Sequence, residues 1–333
     1  MPEIHNGIVI LGFFLLYLPA NFTPIYQQGA IMEKPFILHM LTTAKNLSPF
    51  DVNMALDAGW VSALPYINVE PSEVQGLVQD AIFSRSTKNL KRTGIFIGGR
   101  DTKQAMDMLK TAKRSMVPPF EVSVFADPSG AFTTAAGMVA AVEHELFTKF
   151  NTTLEGKTIL ALGGTGPVGQ AAAVISAQAG ANVRIIGRQL DKAQAIADLC
   201  SNEFGDGKIT ITAGADADKA EYIKTADVVF ATGAAGIELL SAELIASAPQ
   251  LKVAADVNAV PPAGIAGVDA FDNGTLIPAS TSGAVGIGAL AIGNIKYQAQ
   301  NLLLKSMLST DKPLYLHFEH AFAVARDYIK SQA

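Results

Sequence analysis

The sequence predicts an α/β protein with two domains, each built on a largely parallel β-sheet. Short apolar runs alternate with segments of helical periodicity along most of the chain, which is typical of βαβ units. The length of 333 residues favours two cores over one. A turn at Gly156 and Lys157 separates two such series of elements. We expect a first domain over residues 32–150, completed by helices within 284–333, and a second domain over 151–283.

The first domain is predicted to alternate strands and helices from Met32. Its strands are short apolar runs, and its helices place apolar residues three and four positions apart. In order, the elements are the strand FILHML, the helix SPFDVNMALDAG, the strand WVSALPYI, the helix PSEVQGLVQDAIF, the strand TGIFIGG, the helix DTKQAMDMLKTAKRSM, the strand VSVFAD and a long helix TTAAGMVAAVEHELFTKF.

The second domain repeats this alternation and is predicted to hold a doubly wound sheet. Its elements are the strand TILAL, an Ala-rich helix that ends at Gly180, the strand NVRIIG, the helix DKAQAIADLCSNEF, the strand KITITAG, the helix KAEYIKTA, the strand DVVFATG, the helix SAELIASA and the strand KVAADVN. The segments GAVGIGALAIGNIKYQAQNLLLKSML and PLYLHFEHAFAVARDYIK then have helical periodicity. We expect these two helices to return to the first domain, with a cleft between the domains.

Composition excludes several classes of function. The net charge of -5 and the absence of a basic tail argue against nucleic acid as a partner. The only cysteine, Cys200, excludes an intrachain disulfide and thiolate zinc sites, which fits a reducing compartment. His317 and His320 lie three positions apart, but we expect them to be solvated and predict no metal site. We expect a cytoplasmic location and a homo-oligomer.

The apolar stretch GIVILGFFLLYLPA at residues 7–20 is the one exception to this pattern. It is shorter than the ~20 apolar residues of a membrane-spanning helix. A secretory signal requires positive charge before its apolar run, and no Lys or Arg precedes this one. Residues 1–31 are interpreted as an extension upstream of an alternative start at Met32. A membrane anchor is the other reading.

A glycine-rich loop follows the strand TILAL directly and precedes a helix. It has the G-x-G-x-x-G spacing, which allows a tight turn and brings a pyrophosphate close to the backbone N–H groups of a helix start. The context predicts a Rossmann-type site for a dinucleotide. The residues expected to bind the cofactor here are Gly164, Thr165, Gly166, Pro167, Val168 and Gly169.

Arg188 lies about twenty residues further on, at the end of the strand NVRIIG, where NAD-binding units carry an acidic residue. A guanidinium group there suits the 2′-phosphate of NADP, and Lys192 adds a second positive charge. We therefore predict NADP as the cofactor, with NAD possible. The alternative is that Arg188 is a solvated residue at the strand end.

Ligands of open α/β sheets bind at the carboxyl ends of the strands. Thr232, Gly233 and Asn258 follow two strands of the second domain and are predicted to contact the cofactor. In the first domain, Asp51 has two interpretations that stay open. It is either a ligand-binding carboxylate or the third residue of a capping box that starts at Ser48.

Several long segments resemble one known family. HMLTTAKNLSPFDVNMALDAG, RTGIFIGG, VPPF, FADPSGAFTTAAGMVA, DVNAVPPAGIAGVD and VGIGALAIGNIKYQ are similar to the NAD(P)-dependent methylenetetrahydromethanopterin dehydrogenases of bacterial one-carbon metabolism. The resemblance covers the chain from Met32 onward. The loop GGTGPVGQ and the strand end GRQLDKAQ resemble the NADP-restricted members, which can also use tetrahydrofolate, whereas most of the chain resembles the dual-cofactor members.

The resemblance implies hydride transfer from methylene-tetrahydromethanopterin to NAD(P) in the cleft between a pterin-binding first domain and the Rossmann domain. It points to Lys296 as a catalytic or positioning residue, with a helix-surface position as the alternative. Asp51, Asp127 and Thr133 are the candidate pterin contacts, because a carboxylate can accept hydrogen bonds from the ring's N–H donors. The other hypotheses are a methylenetetrahydrofolate dehydrogenase, a shikimate-type dehydrogenase and a sensor that binds NADP without turnover.

Overall fold

The computed structural model describes residues 33–332, so the apolar extension over residues 1–31 lies outside the described part. A first sheet begins at once. Its first four strands are β1 Ile37–Leu41, β2 Ser62–Tyr66, β3 Thr93–Ile97 and β4 Ser123–Ala126. The helices that follow them are α1 Pro49–Asp57, α2 Val74–Phe83, α3 Thr87–Leu90, α4 Thr102–Arg114 and α5 Ala131–Phe150.

All pairings among these four strands are parallel. Every residue of β3 and β4 is buried, because helices cover both faces of a parallel sheet and leave no solvated side. This pattern agrees with the short apolar runs that predicted the strands.

The second sheet contains seven strands. They are β5 Thr158–Leu162, β6 Asn182–Gly187, β7 Ile211–Ala215, β8 Val228–Ala231, β9 Val253–Asp256, β10 Asn273–Leu276 and β11 Val285–Ile287. Its helices are α6 Pro167–Gln178, α7 Leu190–Leu199, α8 Lys219–Tyr222 and α9 Ala242–Ala246. The strand order is β10-β11-β9-β8-β5-β6-β7, and only β10 is antiparallel to its neighbour. The chain leaves β5 towards β6 on one side and returns to β8 on the other, which is the switch point where ligands bind in such sheets.

The last segment returns to the first sheet. It consists of α10 Ala289–Ser309, β12 Tyr315–Leu316 and α11 Phe318–Gln332. The strand β12 pairs in parallel with β4, giving the order β12-β4-β3-β1-β2. Helix α5 packs against α6, α10 and α11, and one apolar core runs through both sheets.

The mixed α/β fold with parallel sheets is confirmed, and two element predictions were wrong. The segment predicted as one helix from GAVGIG begins with the buried strand β11, and the predicted C-terminal helix begins with β12. Both strands are too short for periodicity to separate them from a buried helical turn. Their neighbours β9 and β4 supply the backbone hydrogen bonds that decide the outcome. Within residues 33–332, no helix combines the length and apolar character needed to cross a membrane.

Candidate active site and cofactor site

The glycine loop lies between β5 and α6, as predicted. Pro167 is the first residue of α6, and Gly166 is its N-cap. A Cβ atom at Gly169 would lie 2.4 Å from the Cα atom of Gly164, so only glycine allows this close packing of helix and turn. A Cβ atom at Gly166 would meet nothing closer than 3.9 Å. The loop is therefore packed on one side and open on the other, which fits a bound pyrophosphate.

The loops that follow β5 and β8 touch each other. A Cβ atom at Gly163 would lie 2.5 Å from the Cα atom of Gly233. The hydroxyl of Thr232 donates to the carbonyl of Leu162 at 3.1 Å, and Thr232 is buried. Thr232 and Gly233 thus form one wall of the turn that carries the glycine loop.

The side chain of Asn258 is used within the protein. Its Oδ1 atom accepts hydrogen bonds from the N–H groups of Gly236 and Val260, and its Nδ2 atom donates to the carbonyl of Pro262. Asn258 therefore joins the loops after β8 and β9 and holds their shape.

Arg188 and Lys192 lie beside the glycine loop. Together with Thr165 and Gln189, they surround a cavity of about 370 Å³. Both cations are exposed, and neither forms an ion pair with an acidic side chain of the part that the structure describes. Arg188 and Lys192 are thus available to pair with an anionic group of a ligand.

A second group of polar residues lies at the carboxyl ends of β1 and β4. The side chain of Gln300, on α10, donates from Nε2 to Oδ1 of Asp51 at 2.8 Å. The Nζ atom of Lys296 donates to Oε1 of Gln300 at 2.9 Å and lies 3.3 Å from the ring centre of Phe50. Since Asp51 lies in the first turn of α1, the sequence brings these groups together from opposite ends of the chain.

Asp127 belongs to the same group. It follows β4, is fully buried, and accepts hydrogen bonds from the N–H groups of Phe132 and Thr133 in the first turn of α5. Its other carboxylate oxygen accepts the hydroxyl of Thr133 at 2.6 Å. The predicted contacts Asp127 and Thr133 are thus bonded to each other, and Asp127 anchors the start of α5.

The three ionisable groups of this cluster influence one another. The pKa of Asp51 is raised to about 7, because burial and the charge of Asp127 raise it by more than Gln300 and Lys296 lower it. Burial also raises the pKa of Asp127, which the charge of Lys296 and the hydrogen bonds from Thr133 oppose. Burial lowers the pKa of Lys296, against the effect of both carboxylates. The cluster therefore holds two acids and one base, and it can carry a net negative charge towards a ligand.

The structure corrects one interpretation and adds two residues. Ser48 makes no side-chain hydrogen bond at the start of α1, and Asp51 bonds to Gln300, so the capping-box interpretation of Asp51 was wrong. Gln300 and Phe50 were not predicted. Gln300 lies four positions after Lys296 on one helix face, a spacing that could have identified it. Phe50 gave no signal beyond its place next to Asp51.

Two further cavities lie at opposite ends of the strands of the first sheet. One of about 310 Å³ lies beside the first turn of α1 and is lined mainly by apolar side chains, among them Leu47, Pro49 and Ile67. Another of about 570 Å³ is lined by Thr93 and Ser123, at the amino ends of β3 and β4. Because ligands bind at the carboxyl ends of parallel strands, the first is the better candidate for a substrate.

Substitution of Thr133 tests the anchoring of α5. We expect Thr133→Val to lower the free energy of unfolding by about 2 kcal/mol, because the buried carboxylate of Asp127 loses a charge-assisted hydrogen bond. Thr133→Ser keeps the hydroxyl, so its free energy of unfolding should be closer to that of the original protein. Urea unfolding measures both variants, and a Thr133→Val protein of unchanged stability would show that the bond makes no net contribution.

The two histidines at the start of α11 differ in exposure. His320 is exposed, as expected, whereas His317 is half-buried, and the two ring centres lie 4.7 Å apart. Burial, which is the largest cause, and the charges of His320 and Lys113 together lower the pKa of His317 to about 4. Within residues 33–332, no group of three or more His, Cys, Asp or Glu side chains is arranged to hold a metal ion.

His317 should make the protein sensitive to acid. Its pKa is about 4 in the folded state against 6.5 in the unfolded chain, so the unfolded chain binds the proton first as the pH falls. We expect stability to fall between pH 6.5 and 4, by up to about 3 kcal/mol from this residue. The difference in unfolding free energy between the original protein and His317→Gln, measured across this range, isolates the effect. A difference that does not vary with pH would contradict it.

Comparisons with known proteins complete the description of the site. Residues 49–129 match the family model described as "Methylene-tetrahydromethanopterin dehydrogenase, N-terminal". The chain is 47% identical over 290 residues to the NAD(P)-dependent methylenetetrahydromethanopterin dehydrogenase of Methylorubrum extorquens, covering 87% of this chain and 97% of the relative. It is 35% identical over 282 residues to the bifunctional protein MdtA of the same organism, covering 84% and 94%.

A solved structure supports the fold. Shikimate 5-dehydrogenase from Listeria monocytogenes, in complex with shikimate and NAD, has a TM-score of 0.51 at 16% identity. The match covers 92% of this chain and 99% of that one. At this identity the likeness extends to the fold alone.

Proposed function

Since the chain belongs to the family of NAD(P)-dependent methylenetetrahydromethanopterin dehydrogenases, we propose that it is the NADP-preferring enzyme that converts methylene-tetrahydromethanopterin to the methenyl form. The reaction moves one hydride, with its two electrons, from the methylene carbon to the cofactor. The carbon is left in an amidinium cation stabilised by the lone pairs of its two nitrogen neighbours. No proton needs a donor or an acceptor, so the reaction requires no general acid or base from the cluster around Lys296.

When bound, NADP supplies the carbon that accepts the hydride. Within this chain, Gly164, Gly166 and Gly169 shape the pocket for its pyrophosphate, and Arg188 with Lys192 provides the charge for a 2′-phosphate. The pair of exposed cations without an acidic partner is the observation that carries the preference for NADP. An adenosine ribose without this phosphate gains nothing from them.

The cluster of Asp51, Asp127 and Lys296 is the proposed substrate side. A lone cation close to a developing amidinium would raise the barrier, but here two carboxylates face Lys296. The role proposed for Lys296 is to hold the substrate in position, while Asp51, the more exposed of the two acids, accepts N–H donors of the pterin. The apolar cavity beside α1 suits the less polar part of the substrate.

The deciding experiment measures NADPH or NADH formation by the purified protein. Methylene-tetrahydromethanopterin and methylene-tetrahydrofolate are each tested with NADP and with NAD. We expect the highest kcat/KM with methylene-tetrahydromethanopterin and NADP. A higher value with the folate would favour a methylenetetrahydrofolate dehydrogenase. Tight NADPH binding without turnover of either pterin would favour the sensor.

We also propose a cytoplasmic homo-oligomer that serves one-carbon metabolism and formaldehyde oxidation during methylotrophy. Phe271 and Leu276 are 77% and 67% exposed beside the edge strand β10, where contact with a second copy would bury them. Light scattering after size-exclusion chromatography gives the mass in solution. A monomer at micromolar concentration would contradict the oligomer.

A further inference from the structure

Gln300 connects the two groups of opposite charge in the candidate active site. It is fully buried on α10, and both ends of its side-chain amide are bonded. The Oε1 atom accepts a hydrogen bond from Lys296, and the Nε2 atom donates one to Asp51. These bonds join helix α10 to the first turn of α1.

A buried amide destabilises a protein unless both of its ends find partners, and an apolar side chain of similar volume would fill the same space without that cost. The two ends of this amide differ. The carbonyl end pairs best with a charged ammonium group, and the N–H end pairs best with an ionised carboxylate, because hydrogen bonds to charged partners are about twice as strong. A chain of Lys296, Gln300 and Asp51 in this order therefore favours the charged form of both ends at once.

The charged surroundings of Asp51 are limited to a few groups. Asp127 acts on it from the loop after β4, and Lys296 acts from α10. Helix α5, which packs against α10, presents Gly137 to the backbone of Lys296 and brings no charge there. Burial and Asp127 raise the pKa of Asp51, Gln300 and Lys296 lower it, and the balance lies at about 7, with Gln300 the larger of the two opposing effects.

Building on the proposed function, we propose that Gln300 is a positioning residue that orients Lys296 and keeps Asp51 ionised while hydride leaves the substrate. The reaction itself transfers no proton. It nevertheless becomes dependent on pH, because protonation of Asp51 removes a negative charge beside the developing amidinium. The rate rises as Asp51 ionises, and Gln300 sets the pH at which this happens.

The test compares Gln300→Met with the original enzyme between pH 6 and 9.5. Methionine fills the space but offers neither a strong acceptor nor a donor, so Asp51 ionises at higher pH. We expect the rise of kcat/KM to move to higher pH by about one unit, with a roughly fivefold lower rate at pH 7 that recovers towards pH 9. Gln298→Met, the same change two positions away on α10, is the matched control and should keep the original profile. An unshifted profile in Gln300→Met overturns the proposal.

Two more variants separate charge from packing. Gln300→Glu has nearly the same shape, keeps an acceptor for Lys296 and replaces the donor towards Asp51 with a carboxylate oxygen. It should shift the profile in the same direction, even if Gln300→Met folds poorly. Asp51→Asn removes the titrating group, so the rise near neutral pH should disappear. A rise that persists in Asp51→Asn overturns the assignment to Asp51.

A measurement without substrate distinguishes this proposal from the proposed function. The pH dependence of the unfolding midpoint should differ between the original protein and Gln300→Met around pH 7 to 8, because the ionisation of Asp51 moves. If the protein shows this difference but oxidises no methylene-pterin, the proposed function fails while the control of charge by Gln300 stands. If the enzyme is active, and Gln300→Met changes the pH profile of neither kcat/KM nor the unfolding midpoint, only the role of Gln300 is overturned.

Discussion

Lys296→Met is expected to lower kcat by about 100-fold or more, because a substrate displaced by about an ångström loses that much rate. The Nζ atom of Lys296 lies against Phe50, is bonded to Gln300 and faces two carboxylates. Without it, Asp51 and Asp127 lose the cation that opposes the rise of their pKa. The binding of NADP should change little, because the glycine loop and Arg188 belong to the other sheet.

The measurement is steady-state kcat and KM for both substrates, together with NADP affinity from a fluorescence titration. Asp51→Asn in the Lys296→Met background removes one of the two unpaired acids. It should recover part of the lost stability without recovering kcat, since an unpaired buried charge costs stability whatever its part in the chemistry. A Lys296→Met enzyme with nearly full kcat would show that Lys296 is not needed for the reaction.

Arg188→Asp is expected to raise the KM for NADP by about 100-fold, with a change for NAD within about threefold. The exchange removes a bidentate donor and places a carboxylate next to the 2′-phosphate, so both effects act against NADP only. Arg188→Lys is the matched variant, which keeps the charge but loses the planar pair of donors. Its KM for NADP should lie between those of the original protein and Arg188→Asp. Lys192→Gln should have a smaller effect, since Lys192 supplies charge alone.

Kinetics with NADP and NAD at constant ionic strength measure these variants. A Tm that matches that of the original protein shows that the exposed position tolerates each exchange. An equal loss with both cofactors would mean that Arg188 stabilises the loop and does not read the 2′-phosphate.

The cofactor loop was predictable because its chemistry is local. The strand β5, the turn at Gly164 and the helix start at Pro167 follow one another directly, and each residue type has its own steric reason there. Arg188 lies only one strand further on. Asn258 was predicted from its place after a strand, and its hydrogen bonds to backbone groups belong to the folded turn and have no signature in the sequence.

The polar cluster could not be assembled from the sequence in the same way. Asp51 and Gln300 are 249 positions apart, and no periodicity links them. Asp51 was named from its place after a strand, and Lys296, Asp127 and Thr133 were named with the family resemblance; neither route gave their contacts. The strands β11 and β12 were missed for a related reason, since runs of three and two residues become strands only through the neighbours they meet.

The return of β12 to the first sheet has a consequence for synthesis on the ribosome. Residues 158–287 can form every strand of the second sheet before β12 is synthesised. The first sheet is completed later, because β12 covers the outer edge of β4 and follows β11 in the chain. Until then β4 presents an unpaired edge, which is a template for pairing with other chains. The nascent protein is therefore most exposed to aggregation in the half that was translated first.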